Sequence, residues 1–350
     1  MNGCSILEGL NARAYDRCIP LNVTLELTLR CNIRCTHCYN FDRDQPKASP
    51  GRELSMEEIR GLMDDLRRSG TLFLQLTGGE AMAHPRFWEI ADEAAARGFA
   101  VTLLSNGTLL TEAACDRLAG YSNLWGVSLS VYGARAETHD AVTQVSGSYE
   151  RTMAGARKLA KRGARVGLKF VLMKANASET AAMIASADAE GFECTVDPTI
   201  TGRYDGTSGS LSTRVDAETL EALYRDPLQH LIRPGPAEPT DDEFKCNCAR
   251  GNAAVSSTGE VYPCIATPLR AGSIREQPFS RIWSESPVFR WIRGLGVADF
   301  KSCAPCTLKP WCRRSPGPAY LLTGDYTGID PWTCREAAII KSVAAEKEPD

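Results

Sequence analysis

Between Val23 and Asp197 strand-like and helix-like segments alternate, and this alternation constrains the fold more than any other feature of the chain. Short runs rich in β-branched and apolar residues read as strands at Val23–Leu29, Leu72–Leu76, Ala100–Leu104, Gly126–Val131, Val166–Leu172 and Phe192–Asp197. Amphipathic segments between them read as helices at Ser55–Arg68, Pro85–Arg97, Thr111–Leu118, Arg135–Val142, Tyr149–Arg162 and Ser178–Ala189. Ser55 followed by Glu58, and Thr111 followed by Glu112, are helix-start signals; Arg97-Gly98 and Arg162-Gly163 are stops. Strands separated by helices pair in parallel through right-handed crossovers. Six such units close part of a barrel or form an open doubly wound sheet. The partial (β/α)6 TIM-like barrel is favoured, because polar signatures follow several different strands, as they do at the active face of barrels.

The alternation stops after Asp197. Residues 199–215 are rich in Gly, Ser and Thr, and Arg233–Pro239 cannot be regular helix or central strand. The expected organisation is a lead-in over 1–20, the barrel over 21–200, a bridging segment over 201–243, a cysteine-rich module over 244–336 and a tail over 337–350, frayed from Ala344. A net charge of −3 gives no electrostatic case for nucleic acid or an anionic membrane. No apolar run approaches membrane-spanning length and the first residues lack a secretory pattern, so a cytoplasmic protein is expected.

Fourteen cysteines in such a chain point to metal or catalysis rather than disulfides. Cys4, Cys18, Cys115 and Cys194 stand apart and read as ordinary thiols; the others fall into tight groups. Cys31, Cys35 and Cys38 supply three thiolates on a loop directly after the first strand. A cubane iron–sulfur cluster needs one outside ligand for each of its four irons, so three cysteines leave one iron open to a substrate or cofactor. The competing reading is a structural zinc site with a fourth ligand such as His37, but structural zinc uses paired short spacings and no partner pair lies nearby. The second strand is followed by Thr77-Gly78-Gly79-Glu80, where paired glycines admit close backbone approach and Glu80 can take an ammonium group. After the third comes Ser105-Asn106-Gly107-Thr108, a polar turn able to bond ribose hydroxyls. In the fourth, alternation puts Ser128 and Ser130 on one face and Leu129 and Val131 on the other.

Together the Cys31/Cys35/Cys38 triplet, Gly78-Gly79-Glu80 and Ser105-Asn106-Gly107 resemble the motifs of the radical S-adenosylmethionine (radical SAM) enzymes, in order and on successive strands, over roughly residues 20–200. The resemblance implies a [4Fe–4S] cluster whose open iron is chelated by S-adenosylmethionine. Glu80 or the Gly78-Gly79 backbone would hold the methionine ammonium, Ser105, Asn106 and Ser128 would lie near the ribose, and His37 would stand beside the adenine. It further implies reductive cleavage to a 5′-deoxyadenosyl radical that takes a hydrogen atom from an unactivated carbon.

Cys246, Cys248 and Cys264, followed by Cys303, Cys306, Cys312 and Cys334, resemble the SPASM extension of radical enzymes that modify peptides and proteins, a module carrying one or two auxiliary iron–sulfur clusters. Cys303, Cys306, Cys312 and Cys334 match the outer cluster's ligands. The inner cluster would use Cys248 and Cys264 plus a cysteine where this chain has Ser315, so either Cys246 substitutes, Ser315 ligates through oxygen, or the cluster keeps an open iron or is lost. A pair of zinc knuckles is the competing reading.

Residues beyond strand ends that match no cofactor motif are substrate candidates: Tyr132, His139, Asp140, Lys169, Asp197, Arg203, Tyr204 and Asp205. Tyr132 and Asp205 are expected to position or deprotonate the substrate; Lys169 points either into the barrel or outward. The resemblance implies a maturase that installs a crosslink or another oxidation in a ribosomally made precursor peptide. A flavodoxin or ferredoxin would donate electrons, and a separate protein would recognise the leader, since the first strand begins near Val23. The alternatives are a sulfatase-type formylglycine maturase, a tetrapyrrole-modifying enzyme and a zinc-stabilised binding scaffold.

Overall fold

The computed structural model describes residues 3–40, 51–235, 240 and 246–346. Part of the Arg233–Pro239 stretch, the expected module start at 244 and the last residues of the expected tail lie outside the described residues. Helix α1 (Gly3–Asp16) leads into β1 (Asn22–Glu26), followed by α2 (Met56–Arg68), β2 (Phe73–Thr77), α3 (Phe87–Ala96), β3 (Ala100–Ser105), α4 (Glu112–Ala119) and β4 (Leu124–Val131). Then come α5 (Ala136–Thr143), α6 (Ser148–Lys161), β5 (Val166–Val171), α7 (Thr180–Ala189), β6 (Glu193–Asp197) and α8 (Ala217–Arg225). Ser55 closes a reciprocal capping box with Glu58, and the Thr111 hydroxyl accepts from the Ala114 amide at 3.2 Å, as the sequence signals require.

The six strands pair in parallel in chain order. One face carries Val23, Leu25, Leu74, Leu76, Leu103, Leu129, Leu168 and Phe170, which pack with Ile59, Met63, Ile90, Met153 and Leu159 of the helices. Strand alternation therefore turns Thr24, Glu26, Gln75, Ser128, Ser130 and Lys169 to the opposite face. A flat sheet would hold β1 and β6 about 24 Å apart. Yet Arg203, just beyond β6, donates to the Cys38 carbonyl at 3.1 Å in the loop after β1. The sheet is therefore rolled, and its polar face is the interior of a partial barrel.

The cysteine-rich module is not a separate layer. Its β7 (Asn252–Val255) joins the free edge of β1 in parallel, and β8 (Glu260–Tyr262) and β9 (Gly272–Ser273) continue the sheet antiparallel. Phe279, Ile282 and Trp283 of α9 (Phe279–Glu285) and Phe289 and Ile292 of α10 (Pro287–Gly294) extend the same hydrophobic core. Helix α11 (Pro316–Thr323) and the terminal α12 (Pro331–Ala345) complete the chain, with Ile339, Ile340 and Val343 packed on Leu220 and Tyr224 of α8. The buried Arg214–Asp330 ion pair (2.8 Å) ties the start of α12 to the segment before α8. The lead-in contains α1 and packs on the module: the Tyr15 ring lies 4.6 Å under Arg250 and the Cys18 carbonyl accepts from Trp283 Nε1 at 2.6 Å.

Candidate active site

The loop bearing Cys31, Cys35 and Cys38 lies across the C-terminal mouth of the barrel, and neighbours from distant parts of the chain hold it there. The Arg34 and Thr36 amides donate to the Thr143 and Val142 carbonyls (2.9 and 3.0 Å), and the buried Arg203 guanidinium bonds the Cys38 and Thr36 carbonyls. None of the three thiols is in a disulfide, and all are partly exposed. Asn106 Nδ2 stands 3.9 Å from Cys31 Sγ and 2.9 Å from Asn32 Oδ1. The loop presents soft donors on a braced backbone, the chemistry an iron–sulfur cluster takes.

Gly78 and Gly79 lie flush on the segment that leads into the triplet. Gly78 has φ +146, and a Cβ there would land against the Thr28 carbonyl; one on Gly79 would meet the Arg30 carbonyl at 2.5 Å. The Gly79 and Glu80 amides donate to the Thr28 and Arg30 carbonyls (2.7 and 2.9 Å). Glu80 is 1% exposed and engaged at both oxygens: Oε1 accepts from Ser105 Oγ (2.9 Å) and the Met82 amide (3.1 Å), and Oε2 from the Asn106 amide (2.7 Å). It thus braces the end of β2 against the end of β3.

Ser105 and Asn106 are drawn into the same brace. Ser105 sits on the core-facing side of β3, donates to Glu80 and accepts from the Gly107 amide. Asn106 Oδ1 accepts from the Thr108 amide and hydroxyl. Of the three residues expected near a ribose, Ser128 alone faces the barrel interior with its hydroxyl turned from the core. His37 is half-buried in the loop, edge-on to Tyr132 at 4.6 Å, with Nδ1 buried and unpartnered. Burial, helped by the charge of Lys169, lowers its pKa to about 4, so the ring is neutral at physiological pH.

The substrate candidates separate cleanly. Lys169 faces the interior, resolving its two possible directions, and pairs with Asp197 at 3.0 Å. Tyr132 is 6% exposed, stacked on His139, with burial foremost pushing its hydroxyl well above the ordinary phenol range. Such a hydroxyl cannot serve as a base near neutral pH. Asp205 forms an Asx turn, accepting from the Thr207 amide (2.9 Å) and hydroxyl (2.6 Å). His139 accepts the Tyr132 amide, and Asp140 accepts from Gly147, Ser148 and Tyr149 at the start of α6, so both organise the backbone. Sequence reasoning missed Arg203 as a clamp on the triplet loop; 165 residues separate it from Cys38, and no local signal links them.

In the second module Cys246, Cys248 and Cys264 form one group, with Cys248 hydrogen-bonded to both neighbours and Cys246 Sγ 3.9 Å from Tyr326 Oη. Ser315 is the N-cap of α11 and makes no side-chain cap bond, while Gly317 seats that helix against the Ala266 carbonyl, two residues past Cys264. Cys303, Cys306, Cys312 and Cys334 form the other group; burial pushes Cys312 up to about 11, with the three neighbouring thiols adding to the rise. Because β7 runs parallel to β1 and β8 returns, Cys248 and Cys264 lie near the N-terminal end of β1, whereas the triplet lies past its C-terminal end. The two sites are thus separated by a strand length, on the order of 17 Å.

The family models named Radical SAM superfamily and Iron-sulfur cluster-binding domain match residues 25–185 and 246–307. A protein of Methanosarcina barkeri described as an AdoMet-dependent heme synthase is 31% identical over 341 residues, covering 89% of this chain and 96% of that one. The chain belongs to the radical SAM superfamily. The mycofactocin maturase MftC of Mycobacterium tuberculosis is 27% identical to this radical SAM chain, covering 89% of it and 82% of the relative. The subtilosin biosynthesis protein AlbA of Bacillus subtilis is 28% identical, over 84% and 66% of the two chains. Among solved structures, anSMEcpe with bound AdoMet has a TM-score of 0.68 at 16% identity, covering 94% of each chain, and shows the shared fold. This radical SAM protein is an enzyme with an iron–sulfur-binding SPASM domain, and its cofactors are S-adenosylmethionine and iron–sulfur clusters. Three cysteine thiols outside any disulfide, on a braced loop, and the side-chain-free cradle at Gly78 and Gly79 fit those groups. Membership removes the zinc scaffold reading. No helix among the described residues is long and apolar enough to cross a membrane.

Proposed function

We propose that this enzyme is a peptide maturase that installs a crosslink or other oxidation in a ribosomally made precursor. The observation that carries the reading is the polar barrel interior lying between two groups of cysteines at opposite ends of β1. A substrate held there lies between a radical source and an electron acceptor, as oxidative bond formation requires. Relatives described as a mycofactocin maturase and a biosynthesis protein of the antilisterial bacteriocin subtilosin support the substrate class.

In this reading Cys31, Cys35 and Cys38 hold the catalytic cluster, and the Gly78-Gly79 backbone receives the methionine end of S-adenosylmethionine. Glu80, Ser105 and Asn106 fix that backbone, while Ser128 and His37 line the nucleoside end. The bound pair supplies a 5′-deoxyadenosyl radical that takes a hydrogen atom from the substrate. Lys169 and Asp197 present a charged pair to the substrate inside the barrel; Tyr132 packs the loop rather than moving a proton. The barrel is assigned to 21–200 and the auxiliary module to 244–336, with Cys303, Cys306, Cys312 and Cys334 on the outer cluster. Cys246 takes the place of the missing cysteine beside Cys248 and Cys264. Alanine at Cys246 is then expected to remove about four irons per chain, while alanine at Ser315 removes none; iron and sulfide analysis of the reconstituted proteins checks this. A flavodoxin or ferredoxin donor, a separate leader-recognition protein and a cytoplasmic setting complete the proposal.

A second reading is favoured by the heme synthase relative and by a pre-heme d1 synthase of Dinoroseobacter shibae, 34% identical over 88% of this chain. Two parallel anaerobic assays separate them. Peptide maturation predicts that a short peptide encoded beside this chain loses two hydrogens by mass spectrometry and that coproporphyrin shows no Soret shift on mixing. A Soret shift and porphyrin turnover, with the peptide unaltered, would overturn it.

A further inference from the structure

Glu80 and Asp140 at the barrel mouth are bonded by backbone amides and hydroxyls; Glu179 likewise takes the Ala134 amide and the Arg135 guanidinium. His37 Nδ1 and Asn40 Oδ1 are buried there without a partner, and so is one carboxyl oxygen of Glu26. Alternation along β1 sends Val23 and Leu25 into the core and turns Thr24 and Glu26 into the barrel. Thr24 finds Gln75 at 3.0 Å. Glu26 is 3% exposed, and its Oε1 has no hydrogen-bond partner.

Another orphan lies on the segment that meets the loop after Glu26's strand: Tyr204 donates its amide to the Tyr39 carbonyl at 2.9 Å and sets its ring edge-on to Tyr39 at 5.3 Å. The Tyr204 hydroxyl, from the segment after β6, is also buried without a partner. The two feel each other: burial foremost, then the charges of Tyr39 and Glu26, hold the Tyr204 hydroxyl well above the phenol range. Tyr262 on β8 faces the same space, pushed up to about 12 by burial and then by Glu260 and Glu26. Both phenols therefore remain protonated donors at neutral pH. Leaving a buried carboxyl and a buried hydroxyl unpaired costs free energy, so retaining both calls for an occupant that pairs them. Their place fits one. Glu26 lies five residues before Cys31, and Tyr204 also senses Cys264 of the inner cysteine group.

We propose that Glu26 and Tyr204 are a substrate-positioning pair that reads the backbone of one extended residue of the peptide, Glu26 accepting its N–H and Tyr204 donating to its carbonyl. In an extended chain a residue's own N–H and C=O point to the same side. The inference rests on the peptide reading and sharpens it.

The test pans a displayed library of random twelve-residue peptides against the iron-loaded enzyme with S-adenosylmethionine, then measures the retained peptides on E26Q, E26A and Y204F. Iron content and unfolding midpoint establish which variants are folded. Loss of one buried hydrogen bond predicts about tenfold weaker binding for E26A and for Y204F. E26Q keeps an acceptor oxygen and is expected to stay within about threefold of the parent, which a general packing defect would not reproduce. Retained peptides that bind all three variants like the parent overturn the pair while leaving the peptide reading standing. Should the parent retain no peptide, the peptide reading falls and the pair falls with it.

Discussion

Alanine in place of Cys31, Cys35 or Cys38 is expected to abolish formation of 5′-deoxyadenosine from S-adenosylmethionine and to remove about four irons per chain. The loop backbone is held by its own bonds to the Thr143 and Val142 carbonyls and by Arg203, so the variants are expected to keep their fold while losing the cluster. Alanine at Cys115, which is fully buried in the helix-packed core, provides the contrast. Removing that sulfur is expected to cost about 1 kcal/mol of stability and no iron. Iron analysis and chromatographic detection of 5′-deoxyadenosine on the same preparations read both effects.

The second large effect lies at Gly78 and Gly79. A methyl group at either position runs into backbone carbonyls of Thr28, Leu29 or Arg30, which cannot swing aside as a side chain would. Moving them moves Cys31. At Gly78 the positive φ adds strain for any L side chain. Gly78→Ala and Gly79→Ala are therefore each expected to cost about 3 kcal/mol or more and to lose S-adenosylmethionine binding, as followed by denaturant unfolding and equilibrium dialysis. Gly98→Ala is the control: it also has positive φ, but open space surrounds its Cβ position, so about 1 kcal/mol is expected with binding intact.

These contrasts show why parts of the molecule were legible in its sequence. The six parallel strands were readable because each repeats a local pattern, down to the Ser55 and Thr111 caps. The Gly78-Gly79 pair was readable because close backbone approach admits few other residues. The union of β7 with β1 was not, since four residues, Asn252–Val255, carry too little pattern to announce a strand and the pairing spans the length of the barrel. That Glu80 also accepts from the Asn106 amide, and that the Asn106 side chain donates to Asn32, was not legible, because motif reading names residues without saying which atoms are already taken. The Asx turn of Asp205 and the burial of Tyr132 were hidden for the same reason: a polar residue after a strand looks the same whether it meets substrate or closes a turn. Glu26 carried no signal, as a single acid in an apolar strand becomes conspicuous only when its carboxyl proves to be unpartnered.

The most direct test of the account is an anaerobic assay of the iron-reconstituted protein with dithionite and S-adenosylmethionine, scored for 5′-deoxyadenosine with and without peptide. The account predicts 5′-deoxyadenosine from the parent protein, none from the Cys35→Ala variant, and faster formation when peptide is present. A protein that holds its reduced cluster and S-adenosylmethionine, yet releases no 5′-deoxyadenosine under either condition, would contradict it.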